Sequence, residues 1–176
     1  MNWNRRMAGA LIVALWAGPA ISALELSGFE VRAGAALPSD WDTGYTLGVA
    51  ADLGEVWTDN LRLYPALSYQ VAEDSASVFG VAFDLEVSSI ALGAEVRYHL
   101  DEADRGWYFG GGPYVHFVDR EFAVARQRPV AISEDSQEFG VAGVAGYRLP
   151  AGLLAEARYM VVTEFDQLQL LLGFSF

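Results

Sequence analysis

The 176-residue chain has no cysteine and no lysine. The first absence excludes disulfides, thiolate metal sites and a cysteine nucleophile. The second makes every fixed positive side chain an arginine. Positive charge is scarce altogether: 11 arginines stand against 23 acids, a formal net charge of −12. That balance disfavours nucleic acid as a partner, because phosphate backbones are bound by basic surfaces. Hydrophobic residues form 53% of the chain, yet beyond its first 23 residues no apolar run approaches the roughly 20 residues of a spanning helix. High hydrophobicity without such a helix points to strands.

The opening residues carry an export pattern. Asn4-Arg5-Arg6 supplies a positive start, Met7 to Trp16 an apolar core, and Gly18 to Ala23 a stretch of small residues suited to cleavage. Residues 1–23 are therefore expected to be a signal peptide, cut near Ala23. The remainder, 24–176, suits one domain. With Arg5 and Arg6 removed it carries 9 arginines against 23 acids, a net charge of about −14.

Period-two alternation divides this domain into eight candidate strands, near residues 26–37, 43–54, 60–72, 86–100, 106–118, 137–149, 152–162 and 167–176. One face is apolar, with Phe29, Val31, Tyr45, Leu47, Val49, Leu67, Tyr69, Ile90, Leu92, Phe109, Phe139, Val141, Tyr159 and Val161. The other carries small residues, among them Gly34, Thr46, Gly48, Ala50, Ser68, Ser89, Ala91, Gly93, Gly110, Gly112, Gly140, Ala142, Gly146 and Gly173, with Leu154, Met160 and Leu171 as apolar exceptions. Small side chains make a poor soluble exterior but fit the cramped interior of an eight-stranded barrel. The expectation is an all-β, eight-stranded antiparallel transmembrane up-and-down barrel, apolar face to lipid and closed because lipid offers an open edge no partner. A soluble lipocalin-like barrel, apolar inside, is the alternative. The short periplasmic turns are then Gly54–Asp59, Asp101–Arg105 and Pro150-Ala151. The external loops are Pro38–Asp42, Glu73–Leu85, Asp119–Ser136 and Thr163–Asp166. Trp57 and Trp107 are expected at the periplasmic interface and Trp41 at the outer one.

Three strands repeat one device: Glu30-Val31-Arg32, Glu95-Val96-Arg97 and Glu156-Ala157-Arg158. Residues two apart on a strand share a face, so each acid and arginine project inward together, joined by Asp52, Arg62 and Arg148. Buried charges are tolerable when paired and hydrogen-bonded, and an arginine fork can bridge two carboxylates. These nine residues form a predicted network in the periplasmic half of the lumen, with Tyr64, Tyr108 and Tyr114 on the same face. It serves either as a structural plug or as a gate whose re-pairing opens a narrow pore.

Other motifs carry less. Gly110-Gly111-Gly112-Pro113 lacks the Lys and Ser/Thr of a phosphate loop and reads as a bend or close approach of strands. His116 faces inward and is expected to hydrogen-bond in the lumen, and His99 lies near a periplasmic turn. In the external segments, Arg126 and Arg128 are candidates for contact with lipopolysaccharide phosphates, against the plainer reading of a solvated loop. The acidic loops lack a calcium-loop pattern, and neither a cofactor nor a metal is expected.

The segments Gly106–Phe117 (GWYFGGGPYVHF), Gly93–Leu100 (GAEVRYHL), Ala155–Val161 (AEARYMV) and the terminal LLLGFSF resemble those of small outer-membrane β-barrel proteins: the OmpA transmembrane domain, OmpX and opacity-protein type of the porin family. The resemblance covers residues 24–176. It implies an integral protein of a Gram-negative outer membrane, a monomer in lipid and lipopolysaccharide, inserted by the barrel-assembly machinery through Leu170, Leu172, Phe174 and Phe176. It further implies a structural, adhesive or surface-interaction role without catalysis; the extracellular ligand is not legible. A narrow porin-like channel is the alternative. A lipid A-modifying enzyme is more distant: deacylases of this architecture place a serine two residues after the histidine, and here His116 is followed by Phe117 and Val118.

Overall fold

The computed structural model describes residues 26–39, 42–78, 81–101, 105–124 and 132–176; the expected signal peptide, Trp41, Arg126 and Arg128 lie outside them. The chain forms β1 (Gly28–Pro38), β2 (Gly44–Asp52), β3 (Glu55–Val56), β4 (Thr58–Val78), β5 (Val81–His99), β6 (Gly106–Val124), β7 (Ile132–Arg148), β8 (Leu153–Val162) and β9 (Asp166–Ser175). β9 pairs back on β1, and β2 pairs with β4 past the two-residue β3. Eight strands thus close an all-antiparallel, up-and-down transmembrane barrel, and β3 is a short hook on the start of β4.

The pairing is staggered. A single row of partners leaves Val162, at one end of β8, and passes through Gly140, Tyr114, Gly93, Ala66, Ala50 and Glu30. It ends on Ser175, at the opposite end of the neighbouring β9. Closing a sheet with such a stagger tilts the strands against the barrel axis.

The faces are those the alternation predicts. Exposure alternates without exception along β8. Outward residues such as Phe29, Tyr45, Leu47, Ile90, Phe109, Val141 and Leu170 are exposed, whereas inward Tyr64, Glu95, Arg97 and Tyr108 have no accessible surface. Leu154, Met160 and Leu171 point inward and are buried, as expected. A lipocalin-like inversion is thereby excluded: the apolar face is outside and the charges are inside.

Both ends of the barrel chain meet at one rim, where Phe176 N–H donates to Phe29 O at 2.9 Å. The tight turns share this rim. Gly106 (φ 90°) and Gly152 (φ 84°) supply the left-handed conformations that the turns into β6 and β8 require. Trp57 and Trp107 stand exposed there, the latter edge-on to Tyr147 at 5.1 Å.

At the far rim the structure corrects the expected loops. The segments Glu73–Leu85 and Asp119–Ser136 are largely strand: β4 spans 21 residues, β5 and β6 19 each and β7 17, against 9 to 11 for β1, β2, β8 and β9. Pairing of β4 with β2 stops at Val71, and pairing of β7 with β8 stops at Gly140. The four long strands go on pairing with one another, through Val78↔Val81, Phe83↔Val124 and Phe122↔Ile132. They form a sheet rising past the barrel wall, roughly 20 Å along β4 at the usual rise per residue.

The Gly110–Pro113 segment is a close approach, as expected. A Cβ on Gly112 would lie 1.8 Å from Ala94 O. Proline lacks a donor, and the β5–β6 ladder passes from Gly93↔Tyr114 to Val96↔Gly111 with no pair between.

Candidate functional site

Seven of the nine predicted lumen charges form one network. In each Glu-x-Arg unit the arginine turns back on its own acid: Arg32 Nη2 reaches Glu30 Oε2 at 2.6 Å, Arg158 Nη2 reaches Glu156 Oε1 at 2.9 Å, and Arg97 Nε reaches Glu95 Oε2 at 2.8 Å. Closure of the barrel then ties the units together. Arg32 Nη1 bonds Glu156 Oε1 at 3.2 Å, joining β1 to β8. Arg158 Nη2 meets Glu95 Oε1 at 2.8 Å across the lumen. Arg148 binds Glu30 Oε1.

Arg97 is the hub. It contacts Glu30 at 3.0 Å, Glu156 at 3.4 Å and Glu95. Its guanidinium carbon also lies 4.3 Å from the Tyr64 ring centroid and 5.1 Å from that of Tyr108. Arginine is suited to this position because its planar fork binds carboxylates while its face stacks on aromatic rings. Tyrosine hydroxyls occupy further carboxylate lone pairs: Tyr108 donates to Glu156 Oε2 at 2.8 Å, and Tyr114 donates to Glu95 Oε1.

The other two predicted members, Asp52 and Arg62, form a separate pair nearer the turn rim, 2.9 Å apart. Tyr64 bridges the two groups, donating its hydroxyl to Asp52 Oδ2 at 2.9 Å while its ring lies under Arg97. His99 is buried beside this pair, its ring 5.5 Å from that of Tyr108.

Glycines make the room. A Cβ on Gly93 would lie 2.4 Å from the Tyr114 ring, and one on Gly146 would lie 2.3 Å from that of Tyr108. The small inward residues of the sequence are therefore matched to large ones on the neighbouring strand. Beside the network remains a cavity of about 10 Å³, lined by Arg32, Thr46, Ser68, Arg158 and Gln169 among others. That is room for about one water molecule, so the side chains pack closely around the network.

A second polar layer, not marked by charge in the sequence, lies in the lumen. Gln70, Gln167 and Gln169 face inward and are buried, with Gln169 Nε2 donating to Gln70 Oε1 at 3.2 Å. Their inward parity was the available signal. His116 lies in this layer and faces inward as expected, but its expected hydrogen bonding is not found: neither ring nitrogen has a hydrogen-bond partner among the described residues. Its ring packs edge-on against Phe165 at 6.0 Å. At the outward end Arg120 bonds Glu138 at 2.9 Å and Glu164 at 2.8 Å.

On the exterior, Leu170, Leu172, Phe174 and Phe176 share the outward face at β9, with the Phe174 and Phe176 rings 5.0 Å apart. Beside the turns, an open groove of about 630 Å³ is lined by Asn60, Leu100, Asp101, Arg105, Gly106, Tyr147 and Pro150.

No protein-family model matches the chain, and no curated protein matches it in sequence. Solved structures do match in fold. Neisserial surface protein A aligns over 86% of this chain and 97% of its own, with a TM-score of 0.55 and 18% identity. Ail, the attachment invasion locus protein of Yersinia pestis, aligns over 85% and 97%, with a TM-score of 0.53 and 10% identity. The N-terminal β-barrel domain of Pseudomonas aeruginosa OprF aligns over 86% and 98%, with a TM-score of 0.50 and 15% identity. The chain thus has the fold of the small outer-membrane barrels.

Proposed function

We propose that this is an integral outer-membrane protein with a non-enzymatic, surface-interaction role, in which a sealed barrel holds a projecting sheet clear of the membrane. The observation that carries the reading is the rise of β4–β7 past the far rim of a barrel whose interior is filled. The exposed acids Glu73, Glu86, Asp119, Glu121 and Asp135 begin where the apolar belt of Ile90 and Phe139 ends, which supports a water-exposed sheet above a lipid-facing wall. Beyond Val71 and Gly140 the outer sides of β4 and β7 are sheet edges. Such edges suit an extended segment of a partner, which adds as a further strand. Ail is named for attachment and invasion, so the fold accommodates a surface role.

Several partners belong to the same reading. Lipopolysaccharide surrounds the barrel, with Arg126 and Arg128 as its phosphate contacts. The assembly machinery takes Leu170, Leu172, Phe174 and Phe176 as its recognition segment, and the finished barrel acts as a monomer. The reading assigns no catalytic role: the serine that barrel deacylases place two residues after the histidine is Val118 here.

The test has two arms. In planar bilayers the refolded protein is expected to give no conductance steps; steady ohmic steps would replace this reading with the narrow channel. In whole cells, replacing residues 74–84 by a two-residue turn is expected to abolish adherence to protein-coated surfaces while preserving the heat-modifiable gel band. Unchanged adherence would remove the projecting sheet from the function.

A further inference from the structure

His116 of β6 and Glu138 of β7 are direct register partners in the outward half of the lumen, and both side chains are buried. Residues so placed on one face have Cβ atoms about 4.5–5.5 Å apart. The strand tilt brings β8 and β9 to the same level. Phe165, just before β9, packs its ring edge-on to that of His116, and Gln167 two residues on donates Nε2 to Met160 Sδ at 3.2 Å. Imidazole, carboxylate, amide and thioether thus line one layer.

The layer is rich in unpartnered polar atoms. Glu138 Oε2, Gln167 Oε1 and both ring nitrogens of His116 lack hydrogen-bond partners among the described residues. Buried polar atoms in that state are costly, and here they occur together. Glu138 is also pre-set: its other oxygen, Oε1, accepts from Arg120 Nη2 and Ser136 Oγ, each at 2.9 Å. Outer hydrogen bonds of this kind orient metal-binding carboxylates.

The charges around the layer favour a cation. Glu138 and Glu164 share Arg120, two carboxylates to one guanidinium. Arg158, on the side of the charge network, is engaged by Glu95 and Glu156 at 2.8 and 2.9 Å. Buried Val118, Val162 and Phe165 are the apolar neighbours.

We propose that His116, Glu138 and Gln167 form an intraluminal site for one divalent late transition-metal ion of the zinc class. Imidazole nitrogen with carboxylate oxygen is the donor set such ions take, whereas magnesium and calcium favour oxygen alone. The described residues hold no group of three His, Cys, Asp or Glu, so the amide oxygen serves as third ligand and the affinity is below that of a structural zinc site. Because the ligands are buried, the ion enters as the barrel closes.

Tag-free mature protein is refolded in detergent with Zn²⁺, dialysed, and its metal content measured on material giving the heat-modifiable band. Close to one equivalent is expected in the wild type, with the metal lost from His116→Gln and Glu138→Gln. Co²⁺ in place of Zn²⁺ is expected to give visible ligand-field bands of nitrogen and oxygen ligation. That readout needs only the wild type and stays decisive if the variants fail to fold. Folded wild type holding neither metal overturns the site and assigns the layer to bridging water. Equal zinc in the wild type and both folded variants overturns it as well.

Discussion

The guanidinium of Arg97 lies on the ring of Tyr64, 4.3 Å from its centroid, while its nitrogens contact three glutamates. One side chain therefore joins carboxylates from β1, β5 and β8 and stacks on an aromatic from β4. Removing one partner of a buried ionic set is far more damaging than replacing the set, because the remaining charges lose their compensation.

Arg97→Ala is accordingly expected to destabilise the barrel by about 3–5 kcal/mol. The check is denaturant unfolding in detergent, followed by the shift between folded and unfolded gel bands. Arg97→Lys should recover only part of the loss, since an ammonium lacks the planar fork and the stacking face. Conductance of folded Glu95→Ala and Arg97→Ala should stay at the wild-type background. A stability loss without conductance identifies a plug, whereas new conductance with little stability loss would identify a gate.

Two glycines three residues apart on β7 offer a sharper comparison. At Gly146 a Cβ would lie 2.3 Å from the Tyr108 ring, and at Gly143 it would meet nothing within 4 Å. Gly146→Ala must displace Tyr108, whose hydroxyl holds Glu156 at 2.8 Å. Overpacking of this kind costs about 1–3 kcal/mol. Gly143→Ala is expected to be within about 0.5 kcal/mol of wild type. Equal effects in the same unfolding assay would mean that strand propensity, and not lumen space, fixes the glycines.

The barrel and the inward charges of its network were legible in the chain because both obey the two-residue period. Phe29 and Val31 point out while Glu30 and Arg32 point in, and nothing beyond alternation is needed to say so. The projecting sheet was not legible for the same physical reason. Along Glu73-Asp74-Ser75 or Ser133-Glu134-Asp135 polar residues occupy every position, so no apolar face marks the period and the segment looks like a loop. The division of the nine charges into seven and two depends on the tilt of the closed sheet, which strand-by-strand parity does not contain. The polar layer of Gln70, Gln167 and Gln169 was within reach of parity, but uncharged amides on an inward face did not stand out beside the Glu-x-Arg repeats.

Across the base of that sheet, Glu73 faces Glu86 and Glu86 faces Glu121 in direct register. Like charges directly opposite one another are destabilising, and because these residues are exposed, salt screens the repulsion. Glu86→Gln should slow amide hydrogen exchange in the flanking residues of β5 and β6 by roughly two- to fivefold at low salt. The gain should shrink as ionic strength rises. Exchange rates indifferent to both the substitution and salt would mean the carboxylates are neutralised by bound counter-charges.

Phe176 separates stability from assembly. Its backbone closes the ladder to Phe29, through N–H to Phe29 O at 2.9 Å and from Phe29 N–H at 3.4 Å, whereas its ring is exposed and touches Phe174. Phe176→Ala keeps the backbone bonds and removes only an outward ring, so refolded protein should unfold within about 1 kcal/mol of wild type. If the alternating aromatic end of β9 is the segment taken by the assembly machinery, the same variant should accumulate poorly in outer membranes of expressing cells. Cell fractionation beside in vitro unfolding reads both quantities from one substitution. Normal membrane yield would remove the ring from assembly, and a large loss of in vitro stability would instead assign it to the barrel seam.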